Sequence, residues 1–437
     1  MRRASRILIG AGCVFLLLMS WLIAVSSKSN AEKQLDLMRQ AAGLTGDGIY
    51  ILAVPLLEEA VGYNAAYTIE AETELKKVYL ALIDNRGFGR KYSELLEKQM
   101  SRKDTHPDVY AEAAEYYLGI SRLPEALHAL RTGIEKTGND RLVGMYESHR
   151  YVYETNRVSY DSVTAIHGAA IQVLKDGLWG IARADGSLLI PCIYEKVSTY
   201  SSDRAIVKKD GEIYAVDRNN NRIALLSILA ADFGNFSDNR LPLLIDGSWM
   251  RATGDFTCGT ARFERLGMYS GGYAAAKTGG LWGVIDVSSG WLVPAEYDGI
   301  IQDELGRSYA QGAVFIKTGG SVRLFSGGKM QDETYDDARP FSNEGYAAVK
   351  RNGKWGFIDT NGIVMIDFLF DDALSFGQHL AAVRQGEFWG YINKYGHIVI
   401  EPVFIEAKSF SSGSAPVLTQ RGWQFITLLE YKKGASL

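Results

Sequence analysis

Residues 350–372 read KRNGKWGFIDTNGIVMIDFLFDD, and this stretch decides the fold of more than half of the chain. The pair Asn352-Gly353 is typical of a two-residue β-hairpin turn, and Asn361-Gly362 repeats the signal. Between the turns, KWGFID alternates with a period of two, which places Trp355 and Phe357 on one face of a strand. A third apolar strand follows the second turn. The stretch therefore predicts a meander of short antiparallel strands.

The same pattern returns at a nearly constant spacing. Aligned on the tryptophan position, eight copies stand 34, 36, 33, 40, 33, 34 and 34 residues apart. Four copies keep a Trp-Gly pair, and the four degenerate ones keep a Gly-containing turn before that position. A period in this range indicates a repeat architecture. The aligned positions are Trp179, Ile213, Trp249, Trp282, Val322, Trp355, Trp389 and Trp423.

A glycine inside a strand costs roughly 0.5–1 kcal/mol relative to alanine, so its repeated place after tryptophan needs a physical reason. Close approach of a neighbouring backbone, or of an indole from the next repeat, supplies one. Each tryptophan then fills the core between units, because one repeat cannot bury a core alone. The alternative is an aromatic platform for a sugar or peptide. The structural reading applies to Trp179, Gly180, Trp249, Trp282, Gly283, Trp355, Gly356, Trp389, Gly390 and Trp423.

The segments LWGIAR, LWGVID, KWGFID and FWGYIN resemble the repeats of the WG-repeat family of bacterial proteins, and the resemblance covers about residues 160–433. It implies a module that binds proteins or ligands, and it carries no catalytic residues. Eight copies suit closure into a propeller-like ring. A copy of about 34 residues is nonetheless short for a four-stranded blade, which usually has about 40 or more. We therefore expect about eight three-stranded antiparallel units, arranged as an open superhelix or as a propeller-like ring, and the short copy favours the open array.

The N-terminal end of the chain predicts a membrane anchor. Residues 7–25, ILIGAGCVFLLLMSWLIAV, contain no charge, and as a helix they would span roughly 28 Å. Three arginines lie in residues 1–6, so the bias of positive charge places this tail in the cytoplasm and the remainder outside. A cleaved signal peptide is the alternative, although the long apolar run favours an uncleaved anchor. Both interpretations make the C-terminal domains extracytoplasmic.

Between the anchor and the repeats, the sequence changes to helical spacing. A polar linker over residues 26–46 leads to residues 47–158, where LLEEAV, YSELLE and PEALHAL recur at steps of 36 and 31 residues. The segment from residue 111 to 140 resembles a tetratricopeptide repeat, with Ala114 and Ala126 at the small helix-crossing positions. We expect helical hairpins that either hold a peptide on one face or only support the β domain, which follows over residues 159–434.

Composition excludes several classes of function. The chain has 437 residues, 47% of them hydrophobic and 22% charged, which is typical of two or three globular domains. A net charge of -4 without a basic stripe argues against nucleic acid as a partner. Three cysteines and six histidines lack the spacing of metal ligands, and nucleotide-binding and nucleophile motifs are missing from the sequence. We expect no catalytic residue, metal or cofactor.

Acidic residues recur at one position of the repeat, as in Tyr335-Asp336-Asp337 and Phe370-Asp371-Asp372. Two carboxylates roughly 5–10 Å apart can hydrolyse a glycosidic bond, but recurrence favours a structural role at a turn. The leading hypothesis is thus a non-catalytic, membrane-anchored extracytoplasmic scaffold for a protein or peptide partner, in an α+β multidomain chain. A cell-envelope sensor of a wall glycan or peptide, and a carboxylate-dependent glycan hydrolase, are the alternatives. The long interval over residues 300–312 breaks the repeat, so its residues are not required for packing between repeats. It is therefore the first place to look for a binding site.

Overall fold

A computed structural model describes residues 29–226 and 229–431, which fall into two compact units with a boundary between Glu147 and Ser148. The boundary lies before the predicted one at residue 158, because a strand of the second unit precedes that position. The predicted transmembrane segment, residues 7–25, and the tail before it lie outside the described residues. Within the described part of the chain, no helix combines the length and apolar character needed to cross a membrane.

The first unit is helical. Its first helix, α1, occupies residues 29–46, so the prediction of a linker over residues 26–46 was wrong for this segment. The physical reason is the buried Gln34, whose side-chain amide donates to the carbonyl of Ala60 (2.9 Å) and to the hydroxyl of Thr68 (3.0 Å). The other helices are α2 (Tyr50–Gly62), α3 (Thr68–Ala81), α4 (Phe88–Met100), α5 (Pro107–Gly119), α6 (Leu123–Thr137) and α7 (Asp140–His149).

Small residues allow these helices to pack closely. Ala114 on α5 and Ala126 on α6 are fully buried. A Cβ atom added at Gly133 on α6 would lie 2.7 Å from side-chain atoms of both Tyr110 and Leu142. Only a glycine therefore fits where α5, α6 and α7 meet.

The second unit consists of eight antiparallel sheets, seven with four strands and one with three. Each sheet has a two-residue strand at one edge. The strands are β1 (Tyr153–Thr155), β2 (Ser162–Val163), β3 (Ala170–Lys175), β4 (Leu178–Arg183), β5 (Leu188–Tyr194), β6 (Lys196–Val197), β7 (Arg204–Lys209), β8 (Glu212–Asp217), β9 (Arg222–Leu225), β10 (Asp232–Phe233), β11 (Arg240–Ile245), β12 (Ser248–Thr253), β13 (Arg265–Leu266), β14 (Tyr273–Thr278), β15 (Leu281–Asp286), β16 (Trp291–Tyr297), β17 (Gly299–Ile300), β18 (Ala313–Thr318), β19 (Ser321–Ser326), β20 (Lys329–Tyr335), β21 (Asp337–Ala338), β22 (Tyr346–Arg351), β23 (Lys354–Asp359), β24 (Val364–Phe370), β25 (Asp372–Ala373), β26 (Leu380–Gln385), β27 (Phe388–Asn393), β28 (Ile398–Phe404), β29 (Glu406–Ala407), β30 (Ser414–Thr419) and β31 (Gly422–Leu428).

The eight sheets are the blades of a closed β-propeller. Blades 1 to 7 start at β2, β6, β10, β13, β17, β21 and β25, and blade 8 contains β29, β30 and β31 with β1 as its outer strand. This outer strand comes from the start of the unit, since Tyr153 pairs with Leu428 and Thr155 with Ile426. Pairing between the first and last strands closes the ring.

The expectation of an open superhelix of three-stranded units was therefore wrong. The strand that the sequence missed is the inner one, which has only two residues, such as Asp337–Ala338, and is too short to produce an alternating pattern. Ring closure joins strands at opposite ends of the unit, and the spacing of neighbouring repeats carries no information about that contact.

Blades pack against each other through an aromatic side chain that follows the two-residue strand. Phe376 of blade 7 lies 4.9 Å from Phe357 of blade 6, and Phe410 of blade 8 lies 4.8 Å from Tyr391 of blade 7, measured between ring centroids. Such T-shaped pairs stabilise a core beyond the area that they bury. Seven blades have an aromatic residue here: Tyr200, Phe236, Tyr269, Tyr309, Phe341, Phe376 and Phe410.

Candidate functional site

The tryptophans singled out by the sequence lie one in each of six blades. Five lie on the strand next to the outer strand, and Trp249 lies on β12, the edge strand of the three-stranded blade 3. Trp355, Trp389 and Trp423 are 3%, 8% and 6% exposed. The other three are half-buried and pack on hydrophobic clusters between blades: Trp179, Trp249 and Trp282. The structure thus distributes these residues around the ring and does not bring them together in one site.

The glycines that follow four of these tryptophans lie where the outer strand bulges. Trp355 pairs with Phe370 and Phe357 with Ile366, so four positions along the outer strand face two positions around Gly356. The bulge brings the outer backbone against the glycine, which leaves no room for a side chain. An added Cβ would contact the carbonyl oxygen of Ile190 at Gly180 (2.7 Å), of Ile366 at Gly356 (2.8 Å), of Ile400 at Gly390 (2.5 Å) and of Val293 at Gly283.

A cavity of about 790 Å³ lies where the segments that follow the two-residue strands of blades 4 to 8 and blade 1 meet. We call it the axial cavity. Its lining combines charged, hydroxyl and amide side chains, and Trp389 is the predicted repeat residue that also borders it. Residues that bear on its chemistry are Ile166, Asp303, Glu304, Arg307, Arg339, Glu344, Asp372, Ser375, Gln378, Arg384, Glu406, Lys408 and Ser409.

One side of the axial cavity is formed by an insertion in blade 5. The connection between β17 and β18 occupies residues 301–312, whereas the same connection in blade 1 occupies only residues 164–169. This insert reaches other blades: the amide of Asn235 in blade 3 donates to the carbonyl of Leu305 (2.9 Å), and the backbone N–H of Met268 in blade 4 donates to the carbonyl of Gly306 (3.0 Å). The interval of 40 residues, noted in the sequence, is therefore an extra wall of the cavity.

The insert is held in a tight turn by its own side chains. The carboxylate of Asp303 accepts the backbone N–H groups of Leu305 (3.0 Å) and Arg307 (2.9 Å), and it pairs with the guanidinium of Arg307 (2.6 Å). Gly306 has a φ of +90°, a conformation that favours glycine. These contacts fix the insert in one conformation without help from a ligand.

Lys408 of blade 8 connects the insert to the opposite wall. Its ammonium lies 3.0 Å from the carboxylate of Glu304 and 3.2 Å from that of Glu406, and the side chain is 14% exposed. Burial acts to lower the pKa of Lys408, but the two carboxylates, Glu304 first, outweigh it and raise the pKa above the ordinary value. The lysine is therefore charged, and it joins blades 5 and 8 across the cavity.

The remaining wall is polar at its surface and aromatic beneath. The hydroxyl of Ser409 donates to the carbonyl of Ser375 (2.9 Å), and that of Ser375 to the carbonyl of Pro340 (2.7 Å), which joins blades 8, 7 and 6. The guanidinium of Arg339 pairs with Asp372 (3.3 Å). Three rings that also border the cavity are only 3–5% exposed: Phe341, Phe376 and Phe410.

His167 of blade 1 lies near the insert. Burial, and next the positive charge of Arg307, lower the pKa of His167, while Asp238 and Asp303 act in the opposite direction. The ring is thus neutral near pH 7. Across residues 29–226 and 229–431, no group of three or more histidine, cysteine or acidic side chains is arranged to hold a metal ion.

Sequence reasoning could find only part of this site. The interval 300–312 was recognisable because it breaks the spacing, and it contains the insert. The other lining residues come from five blades and obey the repeat pattern, so nothing in their spacing distinguishes them from structural positions.

The closed ring and its cavity define a repeat-built, eight-bladed β-propeller. Five stretches of this ring match a model of WG-containing repeats, in agreement with the resemblance seen in the sequence. The family model described as "WG containing repeat" matches residues 179–212, 260–282, 334–355, 355–387 and 389–422. No curated protein matches the chain.

Several solved structures are similar to the chain at low identity. The AfRom2 CNH domain is 10% identical over 64% of this chain and 97% of its own, with a TM-score of 0.30. YCF48 bound to D1 peptide is 11% identical over 63% and 96%, with a TM-score of 0.31. The β-propeller domain of Cps50 (Swd1) from Myceliophteria thermophila is 9% identical over 63% and 98%, with a TM-score of 0.32. The assignment as a propeller rests on strand order and closure, not on these likenesses.

Proposed function

We propose that the protein is a non-catalytic binding scaffold whose propeller holds a segment of a partner protein in the axial cavity. The observation that carries this proposal is the cavity itself, at about 790 Å³, formed where the insert of blade 5 departs from the repeat. Ligand sites in proteins commonly occupy about 300–1,000 Å³. A cavity wall that is already rigid loses little conformational entropy when a ligand binds.

The chemistry of the lining favours a polypeptide over a sugar. Sugars and bases commonly stack on exposed aromatic faces, and here Phe341, Phe376 and Phe410 are buried. Hydroxyl, amide and charged groups of both signs border the cavity instead, and these complement the backbone and side chains of an extended peptide.

The recurring acidic residues support a non-catalytic reading. Asp336 accepts the backbone N–H of Gly353 in the hairpin turn of its own blade (3.1 Å), and Asp371 accepts that of Gly386 (2.7 Å). Blade 5 has the same contact, since Asp298 accepts the N–H of Gly319 (2.9 Å). Each carboxylate thus closes a hairpin, which gives it a structural task.

Crosslinking from inside the cavity tests the proposal. A photoreactive residue at Gln378, which lines the cavity, should capture a discrete polypeptide from the source cell, whereas one at the exposed Glu401 on the outer strand of blade 7 should not. The substitution Asn343→Trp should reduce the yield by narrowing the cavity, with Asn219→Trp in an outer turn as the matched control. Capture from the outer strand alone, or retention on wall polymer without a protein, would contradict the proposal.

We further propose that the helical hairpins are tetratricopeptide-like and offer a second peptide-binding face. The full burial of Ala114 and Ala126 supports this comparison, whereas Gly133 departs from it, because alanine is usual at that position. A purified fragment of residues 29–147, added to the crosslinking reaction, should compete for a partner that uses this face. Unchanged capture in its presence would leave the propeller as the binding domain.

We also propose that both domains act outside the cytoplasm. Three arginines followed by the uncharged residues 7–25 favour export. Protease added to intact cells with a permeabilised outer layer should digest the propeller. Complete protection until the cytoplasmic membrane is broken would contradict export.

A further inference from the structure

Blade 3 carries an arginine where the other blades carry a core residue. The position is two residues after the aligned tryptophan position and on the same strand, which in blade 3 is β12. In the other seven blades the side chain is apolar or aromatic and no more than 1% exposed: Ile181, Ala215, Val284, Leu324, Phe357, Tyr391 and Phe425. In blade 3 it is Arg251, which is half-buried. A charged group at a packing position needs a partner.

The repeat also tells which residue faces this arginine. Phe357 contacts Phe376 of the next blade and Tyr391 contacts Phe410 of the next blade, at 4.9 and 4.8 Å between ring centroids. The corresponding residue after Arg251 is Tyr269 of blade 4, whose side chain is fully buried. The interface between blades 3 and 4 therefore holds a guanidinium and a phenol, whereas the interfaces of blade 7 with blades 6 and 8 each hold two rings.

A second guanidinium lies on the same face of blade 3. Arg240 on β11 pairs with Thr253 on β12, and Pro242 pairs with Arg251. The two arginines are thus diagonal neighbours across adjacent strands, which places them within reach of one another. One end of Arg240 is occupied, since its Nη1 donates to the carbonyl of Asn239 (2.9 Å).

Three buried donors at this interface have no hydrogen-bond partner among the described residues: the Nε of Arg240, the Nε of Arg251 and the hydroxyl of Tyr269. Burial raises the pKa of Tyr269 to about 12, against the opposing effect of the two arginines, so the hydroxyl keeps its proton at neutral pH. The nearby carboxylate of Asp286 also acts on this tyrosine, but no hydrogen bond joins the two, and its Oδ1 accepts the N–H groups of Ser288 and Gly290. All three groups are therefore donors that lack a hydrogen-bond acceptor.

We propose that Arg240, Arg251 and Tyr269 form a binding site for a small phosphate-type oxyanion between blades 3 and 4. An oxyanion has several acceptor oxygens and a negative charge, so it satisfies all three donors and compensates the two guanidiniums at once. None of the three residues lines the axial cavity, so the site is independent of the peptide-binding proposal.

The test measures unfolding of the full chain by tryptophan fluorescence in increasing inorganic phosphate, with potassium chloride at matched ionic strength as the reference. A ligand that binds the folded state alone raises the unfolding midpoint in a saturable way. We expect this for the wild-type protein, and we expect apparent phosphate affinity to fall about ten-fold or more in Arg251→Leu, which loses a charged donor. That variant restores the residue type of blade 5, so folding should survive.

Two further variants make the test specific. Tyr269→Phe keeps both charges and removes one donor, so phosphate should still stabilise it but with several-fold weaker affinity. Arg421→Leu removes an exposed arginine of blade 8 and should leave the phosphate effect unchanged. A wild-type protein that responds to phosphate no more than to chloride, or an Arg251→Leu variant that keeps the full response, would overturn the site.

Discussion

The substitution Gly356→Ala tests why glycine follows tryptophan in this propeller. An alanine Cβ would lie 2.8 Å from the carbonyl oxygen of Ile366 and 3.0 Å from backbone atoms of Asp367 and Phe368. These neighbours are backbone atoms in the bulge of the outer strand, and backbone atoms cannot rotate away as a side chain can. The strand must therefore shift, and the bulge must lose part of its pairing with β23.

The size of the effect follows from two opposing contributions. Forcing an extra methyl group into a packed site costs about 1–3 kcal/mol. Replacing a strand glycine with alanine returns about 0.5–1 kcal/mol by reducing the freedom of the unfolded chain. We expect a net loss of about 1–2 kcal/mol in the free energy of unfolding of the propeller.

Urea unfolding followed by tryptophan fluorescence is a suitable assay, because every tryptophan except Trp21 lies in the propeller unit. Gly299→Ala is the matched control. A Cβ at Gly299 would meet the side chain of Lys317 at 3.5 Å, which is ordinary contact, and the residue lies in a strand of the same unit. We expect this control to be neutral or slightly more stable than the wild type.

Equal stability of Gly356→Ala and Gly299→Ala would refute the reasoning. Close approach of the outer strand would then not be the reason that glycine occupies this position.

The other predictions concern buried charges and one histidine. Glu72 is fully buried and pairs with Arg102, so Glu72→Ala should destabilise the helical unit by about 2–4 kcal/mol. The control Glu74→Ala removes an exposed ion pair and should cost less than about 1 kcal/mol. Urea unfolding followed by circular dichroism measures both free energies. Lys408→Met leaves two carboxylates of the cavity wall without their cation and should speed amide exchange in the insert. Burial and Arg307 lower the pKa of His167, so the stability that this residue contributes is complete above about pH 6.5 and is lost as pH falls through its folded pKa. The variant His167→Gln should therefore flatten the acid limb of a plot of unfolding free energy against pH. An unchanged plot would contradict this.

Local structure was largely readable from the sequence. The hairpin turn expected at Asn352-Gly353 is confirmed, with φ of +52° and +80° and with Arg351 paired to Lys354. The strand from Lys354 to Asp359 is present, and both Trp355 and Phe357 are buried. These features depend on residues next to each other in the chain, which is why a single repeat is enough to predict them.

The helical region shows where such reasoning fails. Residues 29–46 lack a strong pattern and were assigned to a linker, yet Gln34 is buried there against Ala60 and Thr68. A glutamine gives no hydrophobic signal in the sequence. Its burial depends on partners that lie 26 and 34 residues further along the chain, in the next two helices. The tertiary contact overrides the local pattern.

The sequence by itself determined the repeat, its turns and the pairing within each hairpin, because hydrogen bonds between neighbouring strands and the sterics of glycine act over a few residues. Tertiary structure alone decided that β1 joins β31 and that the insert of residues 301–312 reaches blades 3, 4 and 8. Those contacts join residues whose distance along the chain is unrelated to their distance in space, so the spacing of the repeats cannot encode them.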